Sequence, residues 1–388
     1  MSHKLHYFPS FISAVCAVAF VAPALPSAAQ TTPSAFVYIA SNYSGSNNQV
    51  VGFRVAPNGQ MTRISGTPWP YNLEWMAVNG KFLFASDNAS GDDYRNIYRY
   101  QIESTGALKY LGATDIQTHG SANDTCNQGG FLTLDHTGHS LYQYVTDSQC
   151  NTLEAYQSSA VNTTTGALTY LGTTNGDEYL VAPLTIAADN VWAYDIDCNF
   201  AISDFTAYKR LSSGALQNVN ESYNFPTAPP TNSYWTECFA YPTADTTNHF
   251  ALDVYYPGGQ NDHIATYAIN TTNGNISTNS TYKNTPGTAV AHVRWMSMSP
   301  SGKVLAVGGD KGLQLFNFNP SGQVTARTGL LTTAPIDMVR WDNANHIYAI
   351  SNADSRVFVF NFTSSGVKEA PGSPYSVAHP VTVTVQPK

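Results

Sequence analysis

A turn recurs seven times along this chain. In each copy an apolar and aromatic run ends in a polar turn closed by glycine. The copies are VVGFRVAPNGQM at 50–61, IYRYQIESTGAL at 97–108, LEAYQSSAVNTTTGAL at 153–168, FTAYKRLSSGAL at 205–216, IATYAINTTNGNI at 264–276, LQLFNFNPSGQV at 313–324 and VFVFNFTSSGV at 357–367. A second marker, a run of the FVYIASN type, precedes each of them and begins at Phe36, Phe82, Leu141, Val191, His249, Val304 and Ile347. Runs this short, rich in β-branched and aromatic residues and bounded by Gly, Pro, Asp or Asn, read as strands. The clearest unit, Val293 to Val324, carries Pro-Ser-Gly at 300–302 and again at 320–322. Proline with glycine two residues on is turn chemistry, so the unit reads as a meander of about four strands. A period of roughly 40–50 residues with four strands per unit is that of a propeller blade. The expected fold is all-β: a seven-bladed β-propeller of four-stranded antiparallel blades.

The ends of the chain fit such a ring. Phe36 opens the second strand of blade 1, which leaves its first strand missing. The run His-Pro-Val-Thr-Val-Thr-Val at 379–385 is a strand with none after it. It is expected to return and complete blade 1, which removes the open edge of the ring. The inner strands of the other blades are expected at Trp75–Val78, Phe131–Leu134, Leu184–Ala187, Phe239–Tyr241, Trp295–Met298 and Met338–Trp341. Most are apolar at consecutive positions, as suits sheets buried on both faces.

Residues 1–29 stand outside this pattern. Lys4 precedes an apolar run from Phe11 to Ala22, and Ser27-Ala28-Ala29 follows. That is the layout of a secretory signal peptide, with cleavage near Ala29. The run is too short to span a membrane well, and no second one approaches span length. The expected organisation is therefore a leader at 1–29 and one propeller domain at 30–388, secreted or periplasmic and monomeric. Cys16 would leave with the leader. Cys126, Cys150, Cys198 and Cys238 remain, an even number that favours disulfides in an exported chain. Blade geometry favours 126–150 and 198–238, with four free thiols as the alternative. Only 11% of residues are charged and the net charge is −8. Without a basic cluster, nucleic acid is not an expected partner.

The motifs of the common hydrolases, haem sites and phosphate loops are missing, and no cofactor or metal site is expected. The useful signal is positional. Glu74, Gln128, Glu178, Glu237, His292, Arg294, Asp337, Arg340 and His379 stand just before or at the start of inner strands. From different blades they would converge near one mouth of the central channel. His292, Arg294 and Glu237 form the best catalytic trio: a carboxylate or imidazole to deprotonate water, and a guanidinium to hold an oxyanion. Polar residues that merely face water at strand ends are the bland alternative. Trp69, Tyr71, Tyr234, Trp235 and Tyr375 could instead stack on sugar rings, although packing between blades explains them equally well.

The units VRWMSMSPSGKVLAVGGDKGLQLFNFNPSGQV and FLTLDHTGHSLYQYVTD resemble those of the lactonase-type seven-bladed propellers. That group includes the propeller form of 6-phosphogluconolactonase and YVTN-type surface proteins. The resemblance covers residues 36–385. It implies hydrolysis of a sugar lactone in a cleft at the channel mouth. Cytoplasmic enzymes of the group are expected to carry a Pro-His pair ahead of an inner strand; here the corresponding places read Cys126-Asn-Gln-Gly-Gly and Thr236-Glu-Cys-Phe. Two functions stay open: an exported lactonase-like hydrolase, and a non-catalytic propeller whose loops and aromatics hold a glycan, peptide or envelope partner.

Overall fold

The computed structural model describes residues 32–41, 48–87, 96–115, 127–147, 155–175, 183–199, 202–222, 238–255, 262–280, 284–319 and 324–388. The chain divides into two units after Thr32, the second being Pro33–Lys388; the expected leader and Cys16 lie outside the described residues. The second unit is all-β, with seven antiparallel sheets. Its inner strands are β4 (Leu73–Val78), β8 (Asn127–Leu134), β12 (Thr185–Ile186), β16 (Cys238–Ala244), β20 (Val293–Met298), β24 (Met338–Trp341) and β29 (Pro380–Pro387). Each expected inner strand is present, with ends moved by a few residues. Cys126 and Cys150 lie outside the described residues, as do the side chains of Cys198 and Cys238, so the pairing stays an expectation.

Blade 1 is assembled from both ends of the chain, in the order β29, β1 (Ala35–Ser41), β2 (Gln49–Val55), β3 (Met61–Arg63). Val37 stands opposite Val385 and Ile39 opposite Val383. All seven residues of β1 are buried, because a neighbouring strand lies on each edge and a neighbouring blade on each face. Blade 7 adds a short strand, β28 (Tyr375–Ser376), which pairs with its third strand β26 (Arg356–Thr363).

In three blades the two sequence markers are halves of one bond between blades. A tyrosine in the second strand donates its hydroxyl to the carbonyl of the marker glycine in the next blade. The pairs are Tyr38 to Gly106, Tyr142 to Gly214 and Tyr194 to Gly274, each at 2.8 Å. Gly274 has φ +77, and a Cβ there would stand 2.4 Å from the Trp192 ring. A left-handed turn pressed against an indole leaves glycine as the residue that fits. On the same face of the blades, the turn from first to second strand is held by an acceptor that caps backbone amides. Asp135 takes the amides of His139 and Ser140, Asp245 those of Thr247 and His249, and Asp342 those of Ala344 and His346. Ser299 does the same for Val304. These side-chain turns are why DHTGH and SPSGK recur.

The inner strands alternate in direction with their second strands, so each begins on the face that carries the connections between blades. That face is the mouth. Five inner strands lose register with their second strands near it: β4 between Leu73 and Met76, β8 between Gly129 and Leu132, β16 between Ala240 and Thr243, β20 between Val293 and Trp295, and β29 between Pro380 and Thr382. Such bulges re-aim side chains. Here they carry Glu74, Trp75, Phe131, Tyr241 and Arg294.

Candidate functional site

The bulge in β20 places Arg294 beside two carboxylates. Its Nε donates to Asp310 at 2.6 Å, and one terminal nitrogen donates to Asp337. Asp310 lies in the turn after β21 (Val304–Gly309), and Asp337 directly precedes β24 of the next blade. The other oxygen of Asp337 accepts the amide of Asn352 at 2.7 Å, so the carboxylate is fixed from both sides. Burial pulls the Arg294 guanidinium down, but Asp337 and Asp310 outweigh it and hold the group above its ordinary value. The second terminal nitrogen has no protein acceptor among the described residues. With 41% of the side chain exposed, that nitrogen is open to a ligand.

A second group adjoins it. Asp262 opens β18 (His263–Ile269) and accepts the amide of Val293 at 2.5 Å. Burial raises its carboxyl above the usual range, while the Val293 amide and nearby His292 pull the other way. Behind it, Asp253 on β17 (His249–Tyr255) is buried at 3% exposure. Desolvation pushes it well above the ordinary carboxylate value, and Asp262 adds to the rise. One of its oxygens has no hydrogen-bond partner among the described residues. Tyr241, on the β16 bulge, is likewise raised by burial and by Asp253. The site therefore holds one paired cation, a carboxyl group next to an imidazole, and a buried acid raised by desolvation, all between blades 5 and 7.

Of the residues expected at the mouth, the structure brings together Arg294, His292 and Asp337. Glu74 begins β4 in blade 2, with its carboxyl raised by burial. His379 precedes β29 on the same face and is exposed. Glu237, Glu178 and the Gln128 side chain lie outside the described residues. Arg340 is the third residue of β24, the strand expected at Met338–Trp341, and lines the channel. Tyr241, Asp253, Asp262 and Asp310 escaped the sequence reading. Asp253 carried a signal, as a lone carboxylate inside the apolar run FALDVYY.

The aromatics proposed for sugar stacking divide. Trp69 and Tyr71 stack on each other and pack against the core between blades 1 and 2. Tyr375 packs on the core and donates its hydroxyl to Pro371 O. Tyr234 and Trp235 lie outside the described residues. Among the described residues no group of three or more His, Cys, Asp or Glu is placed to hold a metal ion.

No protein-family model matches this chain, and no curated protein matches it by sequence. Solved structures do. A Lactobacillus plantarum protein superposes with a TM-score of 0.67 at 15% identity, over 91% of this chain and 99% of that one. A Bacteroides uniformis protein, provisionally described as a 6-phosphogluconolactonase, gives 0.67 at 11% identity over 92% and 100%. The periplasmic gluconolactonase PpgL of Pseudomonas aeruginosa gives 0.64 at 15% identity over 90% and 98%. This chain has the fold of the lactonase-type seven-bladed propellers. At such identities the likeness carries the architecture, and the chemistry rests on the residues at the mouth.

Proposed function

We propose that the protein is an exported hydrolase of a lactone, of the sugar-lactone type, acting at the mouth between blades 5 and 7. The observation that carries this reading is the fixed guanidinium of Arg294, with one nitrogen unassigned, beside the Asp262–His292 pair. Water deprotonated by His292 attacks the ring ester carbonyl. The free nitrogen of Arg294 donates to the oxygen as it becomes an oxyanion. The carbon–ring-oxygen bond then breaks, and the leaving alkoxide takes the proton back from His292 to give a hydroxy acid. Asp262 steadies the imidazolium between the two steps. Glu237, one residue before β16, is the other base this reading allows. The leader pattern at 1–29 supports export. Among the described residues no helix is long and apolar enough to cross a membrane.

The test is turnover of sugar, homoserine and aromatic lactones, followed by proton release, for the wild type, His292→Gln and Glu237→Gln. Loss of a general base costs about 10²–10⁴-fold. A loss of that size in His292→Gln alone assigns the base to the imidazole, and in Glu237→Gln alone to the carboxylate. Wild-type turnover in both variants overturns the mechanism.

A further inference from the structure

The channel is not an open pore. Trp75 of blade 2 and Trp295 of blade 6 meet across it with ring centres 6.1 Å apart and planes 19° from parallel. Phe131 of blade 3 packs on Trp75 at 4.3 Å, and Tyr241 of blade 5 on Trp295 at 6.1 Å. Four blades thus contribute one aromatic bridge. Below it lies a chamber of about 410 Å³, whose wall takes residues from all seven inner strands and from the His136 turn on the far face. Arg294 does not line the chamber, and Tyr241 of the bridge stands between the two.

Arg340 is the charged group of that wall. Its guanidinium lies 4.6 Å above the Trp295 ring. Among the described residues no carboxylate pairs with it, and its one hydrogen bond is a long contact of 3.4 Å to Val339 O. A guanidinium held inside protein without a counter-ion is costly. Enclosure lowers it to about 10, so it stays charged at neutral pH. Trp295 adds a second donor: its indole N–H is buried with no acceptor among the described residues.

The hydroxyls of the same wall point to the rest of the ligand. Thr133 donates to Leu184 O at 3.2 Å and Thr185 to Pro242 O at 2.9 Å. Their protons are committed to main-chain carbonyls of the next blade, so what they offer the chamber is acceptor lone pairs. A wall with an unpaired planar cation and hydroxyl acceptors matches a ligand with a carboxylate at one end and hydroxyl donors along its length. The volume falls within the range of small-molecule sites.

We propose that this chamber is a binding site for a small hydroxy-carboxylate, held by its carboxylate on Arg340 and by its hydroxyls on the threonine ring. The site is independent of what the mouth does. The test is calorimetric titration of the full chain with D-gluconate, acetate and the neutral alcohol glucitol, in the wild type, Arg340→Gln, Arg294→Gln and the double variant. The wild type binds gluconate more tightly than acetate, and does not bind glucitol. Arg340→Gln weakens gluconate at least tenfold, both alone and in the Arg294→Gln background. A thermal shift of the wild type with gluconate but not with glucitol supplies the same answer without a variant. Equal binding of gluconate by the wild type and Arg340→Gln overturns the proposal, as does equal response to glucitol. Loss confined to Arg294→Gln moves the anion to the mouth and overturns it too.

Discussion

Asp253 sits in an apolar strand with a second carboxylate, Asp262, as its electrostatic neighbour. Its folded value lies well above the 3.8 of an ordinary aspartate. The sign of the consequence follows from proton binding. Above about pH 4 the unfolded chain gives up this proton while the folded chain keeps it, so stability falls as pH rises toward the folded value, where the loss is complete. Replacing the group with one that cannot ionise removes that slope. Asp253→Asn is therefore expected to lose less stability than the wild type between pH 4 and pH 8, measured by urea unfolding at several pH values. Parallel pH profiles would show that Asp253 ionises as freely in the fold as outside it. Tyr241 is raised by burial and then by this buried acid, and Asp262 by burial and by Asp310.

At the scale of elements, β29 decides whether the ring exists. It supplies the inner strand of blade 1, with Val383 and Val385 facing Ile39 and Val37, and its Thr382 bonds to Glu74 O in blade 2. Removing residues 380–388 leaves β1 with an unpaired edge and opens the core shared by blades 7 and 1. The truncated chain is expected to lose its single cooperative urea transition and to aggregate at concentrations where the full chain stays monodisperse. A sharp transition at the original midpoint would mean that blade 1 closes without β29. The bulges form the other decisive set of elements. They turn Trp75, Phe131 and Tyr241 into the channel and Arg294 toward its two carboxylates, and so create both the aromatic bridge and the site beside it.

For the whole molecule, the fold was legible because it is written seven times. The glycine at 274 and the tyrosine at 194 recur for one physical reason, a bond and a close approach between neighbouring blades. The closure at 379–385 was legible because Phe36 began one strand too late. The site was less so. Arg294, His292 and Asp337 could be placed at the mouth from strand starts alone. Arg340 could not, because the strand Met338–Trp341 was placed as observed but nothing in its sequence tells that its third residue faces the channel below the mouth. Asp262 and Asp310 belong to connections between second and third strands, and nothing in a repeat tells which of those loops leans over a neighbouring inner strand. The bulges were invisible for a related reason: an extra residue in a strand changes register without changing composition.

The most direct test of the central claim is kcat/KM for a sugar lactone with the wild type and Arg294→Gln, each with its urea transition measured. A donor to a developing oxyanion is worth about 10²–10³-fold. The account predicts a loss of that size with the transition retained, because the side chain lies at the exposed mouth and not in a core. Equal rates in the two proteins would contradict the account and remove the lactone from the mouth.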